Sequence, residues 1–172
     1  MHRRSYMYLN TKKLNILKDA AKAYLIARKD FKIIADETPE LRGNDNLIGR
    51  IGEFIAIQFL KQGLNREIVQ RNKNIVEAGY DIEADGQKVS VKIITNENKA
   101  GRNTRVRNPW DELVLIELNG CKVLRIGHLK KKRLAKSHPN ANPVATRTML
   151  NVNGLIGRHG KVYSGKDVER YL

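Results

Sequence analysis

The feature that most constrains the fold is a predicted β-hairpin in residues 79–95, GYDIEADGQKVSVKIIT. Asp85 and Gly86 are a strong signal for a two-residue turn between two short β-segments. The second segment alternates, so one face carries Lys88, Ser90, Lys92 and Ile94 and the other carries Val89, Val91 and Ile93. Closing the turn draws Asp81, where the first strand begins, alongside Lys92. We therefore expect a carboxylate and an ammonium group to be neighbours on this hairpin.

A further candidate carboxylate lies upstream, on a predicted second helix. The apolar positions of this helix are Ile48, Ile51, Ile55, Ile57, Phe59 and Leu60. At 100° per residue, Glu53 falls about 160° to 200° from Ile51 and Ile55. It points inward if the helix is buried on two sides, whereas a solvent-facing Glu53 is equally compatible. Gly52 within a helix costs roughly 1 kcal/mol relative to Ala, which indicates close packing or a site.

These residues together resemble the PD-(D/E)xK, or restriction-endonuclease-like, superfamily of metal-dependent nucleases. In that family an Asp opens a hairpin strand, and an acidic residue, any residue and a Lys follow on the next strand. Asp81 matches the first element and Ser90-Val91-Lys92 matches the second, with Ser90 where the family usually has Glu or Asp. Many members also carry a Glu on the first core helix, and Glu53, within GRIGEFIA, matches that residue. The resemblance covers residues 46–134.

The resemblance implies a Mg²⁺ or Mn²⁺ ion held by Glu53, Asp81 and the backbone carbonyl of Val91. Magnesium prefers oxygen ligands and keeps several waters, and it supplies both a hydroxide and positive charge for phosphodiester hydrolysis. Lys92 would orient the attacking water or stabilise the transition state. Ser90 could reach the ion only as a weak neutral ligand or through a water. The implied catalytic set is therefore Glu53, Asp81, Ser90 and Lys92, acting on DNA.

Other interpretations stay open at this point. Ser90 in place of an acidic residue could have abolished cleavage, which would leave a nucleic-acid-binding domain on the same fold. An RNA-binding factor unrelated to nucleases is favoured if the hairpin fails to bring its Asp and Lys together. Asp81, Lys92 and Glu53 could also be an ordinary strand-end residue, a solvated strand residue and a helix-surface residue, in that order. A weak resemblance to a His-Asn-His nuclease comes from His138, Asn151 and His159, but no paired histidine or acidic neighbour accompanies His138.

The charge of the chain points to nucleic acid as its partner. Its 172 residues include 33 Lys plus Arg against 18 Asp plus Glu, for a formal net charge of +15. Such an excess attracts polyanions, and phosphate contacts release condensed counterions. We expect DNA ahead of RNA. The candidate contacts are Lys99, Arg102, Arg105 and Arg107 in a basic loop, and Lys130, Lys131, Lys132 and Arg133 in a charge run.

Composition also bears on the compartment. No segment approaches the roughly 20 apolar residues that a spanning helix needs, and the basic start MHRRSYMYLN leads into TKKLNILKD rather than an apolar stretch. Cys121 is the single cysteine, which excludes an intrachain disulfide and fits a reducing cytoplasm. We therefore expect a cytoplasmic protein without a membrane role. A homodimer stays open, because enzymes that cut both strands often dimerise.

The length suggests one α/β domain, and the resemblance implies a restriction-endonuclease-like core with a central mixed sheet flanked by helices. We expect an N-terminal helical extension in residues 1–45, with a helix over 12–35. The core occupies residues 46–134 and a C-terminal segment occupies 135–172. Strands are expected over 67–71, 111–118 and 121–129, with the last two joined by a turn at Asn119-Gly120.

Overall fold

The computed structural model of the chain describes residues 11–37, 47–72, 79–96, 104–136 and 143–172. Its helices are α1 Thr11–Glu37, α2 Leu47–Gln58, α3 Lys131–Ala135, α4 Leu155–His159 and α5 Lys166–Glu169. Its strands are β1 Val69–Arg71, β2 Ile82–Ala84, β3 Gln87–Thr95, β4 Thr104–Arg105, β5 Glu112–Asn119, β6 Lys122–Lys130, β7 Val144–Ala145 and β8 Lys161–Ser164. A π-helical turn, Phe59–Gly63, continues α2, and a 3-10 turn spans Arg147–Leu150.

Six strands form the main sheet in the order β1-β2-β3-β5-β6-β8. The pair β3 and β5 is parallel, and the other neighbours are antiparallel. Strands β4 and β7 form a separate two-stranded sheet. The predicted α/β class with a mixed sheet and flanking helices is therefore confirmed.

The predicted hairpin is present, with the predicted turn. Strand β2 pairs antiparallel with β3, and Ala84 lies opposite Gln87. Asp85 and Gly86 between them have φ of 48° and 75°, as a two-residue turn with both central residues left-handed requires. Strand β2 is short, so its pairing with β3 ends at Val89. Beyond that residue, β2 leaves the adjacent edge of β3 open.

The alternation of β3 divides its side chains between two hydrophobic clusters on opposite faces of the sheet. The α2 face contains Val89 and Val91, which pack with helix α2 and the C-terminal residues; its largest members include Ile55, Phe59, Leu60 and Tyr171. Ile94 packs on the other side, the Trp110 face, whose buried members include Trp110, Leu113, Leu115, Met149 and Ile156. Ser90 and Lys92 share the parity of Ile94, so they point to the Trp110 face.

Helix α1 extends one residue before and two residues beyond the predicted limits of 12–35. Leu25 is buried in the core and Tyr24 packs against it. Leu17 is 40% exposed. Only a narrow stripe of this helix therefore packs against the rest of the described structure.

The turn between β5 and β6 also differs by one residue from the prediction. Asn119 pairs with Lys122, so the turn consists of Gly120 and Cys121 rather than Asn119 and Gly120. The pairing also shifts register between Glu117 and Leu118. Such a bulge adds one residue to one strand and moves every later pairing, and side-chain alternation does not reveal it.

The C-terminal segment completes both faces of the sheet. Strand β8 pairs with β6 and was not predicted as a strand. Val168, Tyr171 and Leu172 join the α2 face, while Met149, Leu150 and Ile156 join the Trp110 face. Residues after 134 are thus part of the same hydrophobic core as the central strands. Among the described residues, we find no helix with the length and apolar character that a membrane crossing demands.

Candidate active site

The candidate site is built on the open edge of β3. The backbone N–H and C=O of one strand residue point to the same side, and at Val91 they point to the edge that β2 leaves uncovered. The Val91 N–H donates to Oδ2 of Asp81 at 2.6 Å. The backbone of Asp81 is itself fixed, since its N–H donates to the Val89 carbonyl and its carbonyl accepts from Asn72, each at 2.9 Å. The Asp81 carboxylate thus replaces a missing strand partner.

Lys92 brings a positive charge to the same place. Its Nζ donates to Oγ of Ser90 and to the Val91 carbonyl, each at 3.0 Å, and lies 3.6 Å from Oδ2 of Asp81. Oγ of Ser90 lies 3.5 Å from the same carboxylate oxygen. Three oxygen atoms of different kinds therefore surround one ammonium group. The predicted contact between Asp81 and Lys92 is present in the structure.

The site is shielded from water without being closed. Ser90 is fully buried, while the side chains of Lys92 and Asp81 are 17% and 33% exposed. A partly buried ion pair is screened less than one on the surface. The opening on the Asp81 side leaves room for a ligand to approach the carboxylate.

The oxygen atoms around Lys92 are of the type that a hard cation selects. A carboxylate oxygen and a backbone carbonyl are suitable ligands for Mg²⁺, whereas a neutral hydroxyl is a weaker one. An ion bound to Asp81 and Val91 would require Nζ of Lys92 to move aside. Among the described residues, no group of three or more His, Cys, Asp or Glu side chains is placed to hold a metal. The described contacts on the hairpin thus include one carboxylate, that of Asp81.

Glu53 lies on helix α2, which packs on the face of the sheet opposite Lys92. Helix α2 covers the α2 face, and a Cβ atom added at Gly52 would lie 3.2 Å from Cδ1 of Ile93, the neighbour of Lys92. Oε2 of Glu53 is buried. The carboxylate would have to reach Asp81 around the open edge of β3. Contacts in the structure join Asp81, Ser90, Val91 and Lys92 to one another.

The structure describes two of the four cations that we predicted to contact nucleic acid in the basic loop. Arg105 lies on β4 and Arg107 follows it, and both are exposed. Lys99 and Arg102 lie outside the described residues. Trp110, which follows this loop, is buried at 1% exposure and fills the core rather than offering a stacking surface.

The predicted charge run is only partly available to a ligand. Nζ of Lys131 donates to Oδ1 of Asn108 at 2.7 Å and lies 5.4 Å from the centre of the Trp110 ring. Lys130 is half-buried at the end of β6. Lys132 and Arg133, on the short helix α3, are exposed. Lys132 and Arg133 are thus the exposed part of the run.

Arg147 is an exposed cation at the end of β3 that we did not predict. Its Nε lies 2.7 Å from Oε1 of Glu117, and its side chain is 51% exposed. It also approaches the carbonyl of Thr95, the last residue of β3, at 3.5 Å. The sequence feature that could have indicated such a cation is Glu117, because an acidic residue inside the apolar strand ELVLIEL requires a cationic partner.

A second charged cluster surrounds Glu112 on the α2 face. This carboxylate is 2% exposed, and it contacts Arg66 at 2.7 Å, Nε2 of His128 at 2.8 Å and Nζ of Lys130 at 3.8 Å. Burial by itself raises the pKa of Glu112. The hydrogen bond with His128 and the charges of His128, Arg66 and Lys130 outweigh burial, so the pKa lies below its ordinary value.

Compared with models of known protein families, the chain matches none, and a comparison with curated proteins gives no match either.

Proposed function

We propose that this chain is a Mg²⁺- or Mn²⁺-dependent nuclease of the PD-(D/E)xK type that hydrolyses phosphodiester bonds of DNA. The observation that carries the proposal is the position of Lys92 Nζ, 3.0 to 3.6 Å from oxygens of Asp81, Ser90 and Val91. The fold adds support, because a mixed α/β sheet presents these residues on a hairpin strand with an open edge. The formal charge of +15 favours a polyanionic substrate.

Asp81 and the Val91 carbonyl would hold the ion. Oδ2 of Asp81 accepts the Val91 N–H, which fixes the direction of the carboxylate. Within the described part of the chain, Oδ1 accepts no hydrogen bond, so it is available as a ligand. When bound, the ion supplies a hydroxide at neutral pH and positive charge beside the scissile phosphate.

Lys92 has a separate task. A lysine ammonium carries three donors, and two of them donate to Ser90 and Val91. Binding of the ion to the Val91 carbonyl would release the donor that Lys92 uses there, and Lys92 could then orient the attacking water or bind a phosphate oxygen as negative charge develops. The hydrogen bond to Ser90 would keep the ammonium group at the site.

Glu53 completes the proposed ligand set if its carboxylate reaches the open edge of β3. Glu53→Gln keeps the shape of the side chain and removes its charge, so it is expected to weaken Mg²⁺ binding. Glu67→Gln is the matched control, because Glu67 is exposed and precedes β1. Isothermal titration of Mg²⁺ into both variants shows whether Glu53 is a ligand of the ion, without any change to the hairpin residues.

A catalytically impaired nucleic-acid-binding domain on the same fold is the alternative. The observation in its favour is Ser90, a buried hydroxyl where the family has a metal-binding carboxylate. A binder would keep its DNA affinity after EDTA treatment and after Lys92→Ala. The third interpretation, an RNA-binding factor, would have been favoured by a hairpin that kept Asp81 and Lys92 apart, and that condition is not met.

The proposed function is tested by incubating the protein with supercoiled plasmid and with single-stranded DNA in Mg²⁺, Mn²⁺ or EDTA. Cleavage in either metal that EDTA abolishes supports a nuclease, and metal-independent binding without cleavage supports the alternative. A parallel RNA substrate tests the expected preference for DNA. The cytoplasmic location and the homodimer stay predictions, which fractionation and analytical ultracentrifugation would check.

A further inference from the structure

A cavity of about 390 Å³ lies beside the Glu112 cluster, on the side of the sheet opposite Lys92. It is lined by His128 and by four cations, Arg66, Lys130, Arg133 and Lys161. Val114, the strand partner of His128, belongs to the α2 face, and the His128 ring lies 6.3 Å from the Phe59 ring. The cavity is therefore separate from the candidate active site.

The positive charge of this cavity is only partly compensated. Glu112 contacts Arg66, His128 and Lys130, and Arg66 is also 3.5 Å from Asp85. Within the described residues, neither Arg133 nor Lys161 forms a salt bridge. Like charges that converge on one cavity repel one another unless an anion lies between them.

The contacts of Glu112 also fix part of the cavity wall. Its two oxygens hold Arg66 through Oε1 and His128 through Oε2, and both oxygens are buried with the residue. The guanidinium and the imidazole therefore keep their orientation without a ligand. Donors that are already oriented lose less entropy when a ligand binds.

The aromatic residue of the cavity, Tyr163, has one ring face covered by a cation. Nζ of Lys161 lies 4.7 Å from the centre of the Tyr163 ring, and Phe59 contacts the same ring in an edge-to-face arrangement at 5.0 Å. Stacking of a nucleobase would have to displace the ammonium. The lining thus suits a compact anion better than a planar base.

We infer that this cavity is a binding site for a phosphate group, held by Arg133 and Lys161 together with Arg66, His128 and Lys130. The phosphate belongs either to a free phosphorylated small molecule or to the phosphorylated end of a nucleic-acid strand. Both sources present a dianionic group with three acceptor oxygens, which matches several converging donors. The site does not depend on the proposed nuclease activity.

The test is titration of inorganic phosphate into the protein at constant ionic strength, followed by calorimetry or amide chemical shifts. The double substitution Arg133→Gln and Lys161→Gln removes two exposed cations that line the cavity. The double substitution Lys122→Gln and Lys166→Gln removes the same charge from exposed positions that do not line it. Thermal melting of both variants checks that they fold.

We expect the cavity variant to bind phosphate at least about tenfold more weakly than the wild type, the usual effect of losing charge-assisted hydrogen bonds. The control variant should stay within about twofold, because distant surface charges are screened. Wild-type protein that binds phosphate no better than chloride overturns the inference. An equal loss in the two variants also overturns it, since the effect would then be one of net charge.

Further titrations distinguish the two sources of the phosphate. A nucleoside 5′-monophosphate that binds like inorganic phosphate, whatever its base, identifies a site for small phosphorylated molecules. An oligonucleotide with a 5′-phosphate that binds more tightly than its 5′-hydroxyl counterpart, only while Arg133 and Lys161 are present, identifies a strand end. These are binding measurements, so they stand even if the protein cleaves no DNA.

Discussion

Nζ of Lys92 lies 3.6 Å from Oδ2 of Asp81, although the two residues are on different segments of the hairpin. The contact is possible because β2 stops pairing at Val89 and leaves the next residues of β3 accessible from the side. Asp81 fills that gap with its carboxylate, and Lys92 neutralises it. The backbone carbonyl of Val91 faces the same gap, so a cation that displaces Nζ of Lys92 from it can meet two oxygens at once.

The first prediction concerns the missing acidic residue. Ser90→Glu places a second carboxylate next to Asp81, with Lys92 close enough to compensate its charge. We expect Mg²⁺ to bind about tenfold more tightly, because the affinity of hard cations rises with the charge of their ligands. Calorimetric titration measures the change. Ser164→Glu adds the same charge to an exposed position on β8 as a control. An unchanged titration for Ser90→Glu would contradict our assignment of position 90.

The second prediction concerns the segment that positions Asp81. Gly79 has φ of 125°, and a Cβ atom there would lie 2.5 Å from backbone atoms of Asn108 and Pro109. Gly79→Ala should therefore cost roughly 1–3 kcal/mol in backbone strain, together with a further loss from the overlap. Because the substitution displaces the chain two residues before Asp81, Mg²⁺ binding should fall as well.

Gly86→Ala separates backbone strain from atomic overlap as causes of lost stability. Gly86 also has positive φ, 75°, but nothing lies within 4 Å of its Cβ position. Its loss of stability should reflect strain alone, about 1–2 kcal/mol. Urea unfolding measures both variants. Equal losses would show that the contact of Gly79 with residues 108 and 109 has no energetic importance.

The third prediction concerns Glu112 and pH. Glu112→Gln leaves Arg66 and His128 without their buried carboxylate, so we expect a loss near the lower end of roughly 3–5 kcal/mol at neutral pH. The folded pKa of Glu112 is lowered from its ordinary value of 4.5. A lowered pKa stabilises the fold above the unfolded value, and this contribution disappears as the pH falls through the folded value.

The stability difference between wild type and Glu112→Gln should therefore be constant above about pH 5 and shrink at lower pH. Denaturant unfolding at a series of pH values measures it. Glu83→Gln, on β2, is the comparison, because Glu83 is only half-buried and forms no salt bridge among the described residues. A difference that grows as the pH falls would mean that Glu112 is not stabilised as a carboxylate.

The sequence could predict the hairpin because its determinants are local. Asp85 and Gly86 set the turn, and the alternation of β3 sets which side chains share a face. The environment of Glu53 was not predictable, since it depends on how α2 lies on the sheet. The Glu112 cluster was missed for a related reason, because Arg66 is 46 positions away from its partner in the sequence. Such contacts follow from the order of strands in the sheet, which local periodicity does not contain.

The most direct test of the central claim is plasmid nicking in Mg²⁺ by the wild type, by Lys92→Ala and by Lys88→Ala. Lys88 lies on the same strand and face but is exposed, with its Nζ over the Tyr80 ring rather than near Asp81. We predict metal-dependent nicking by the wild type, a loss of about 10²- to 10³-fold in Lys92→Ala and little change in Lys88→Ala. Wild-type protein that nicks no DNA in Mg²⁺ or Mn²⁺, or a Lys92→Ala variant that nicks as fast as Lys88→Ala, would contradict the account.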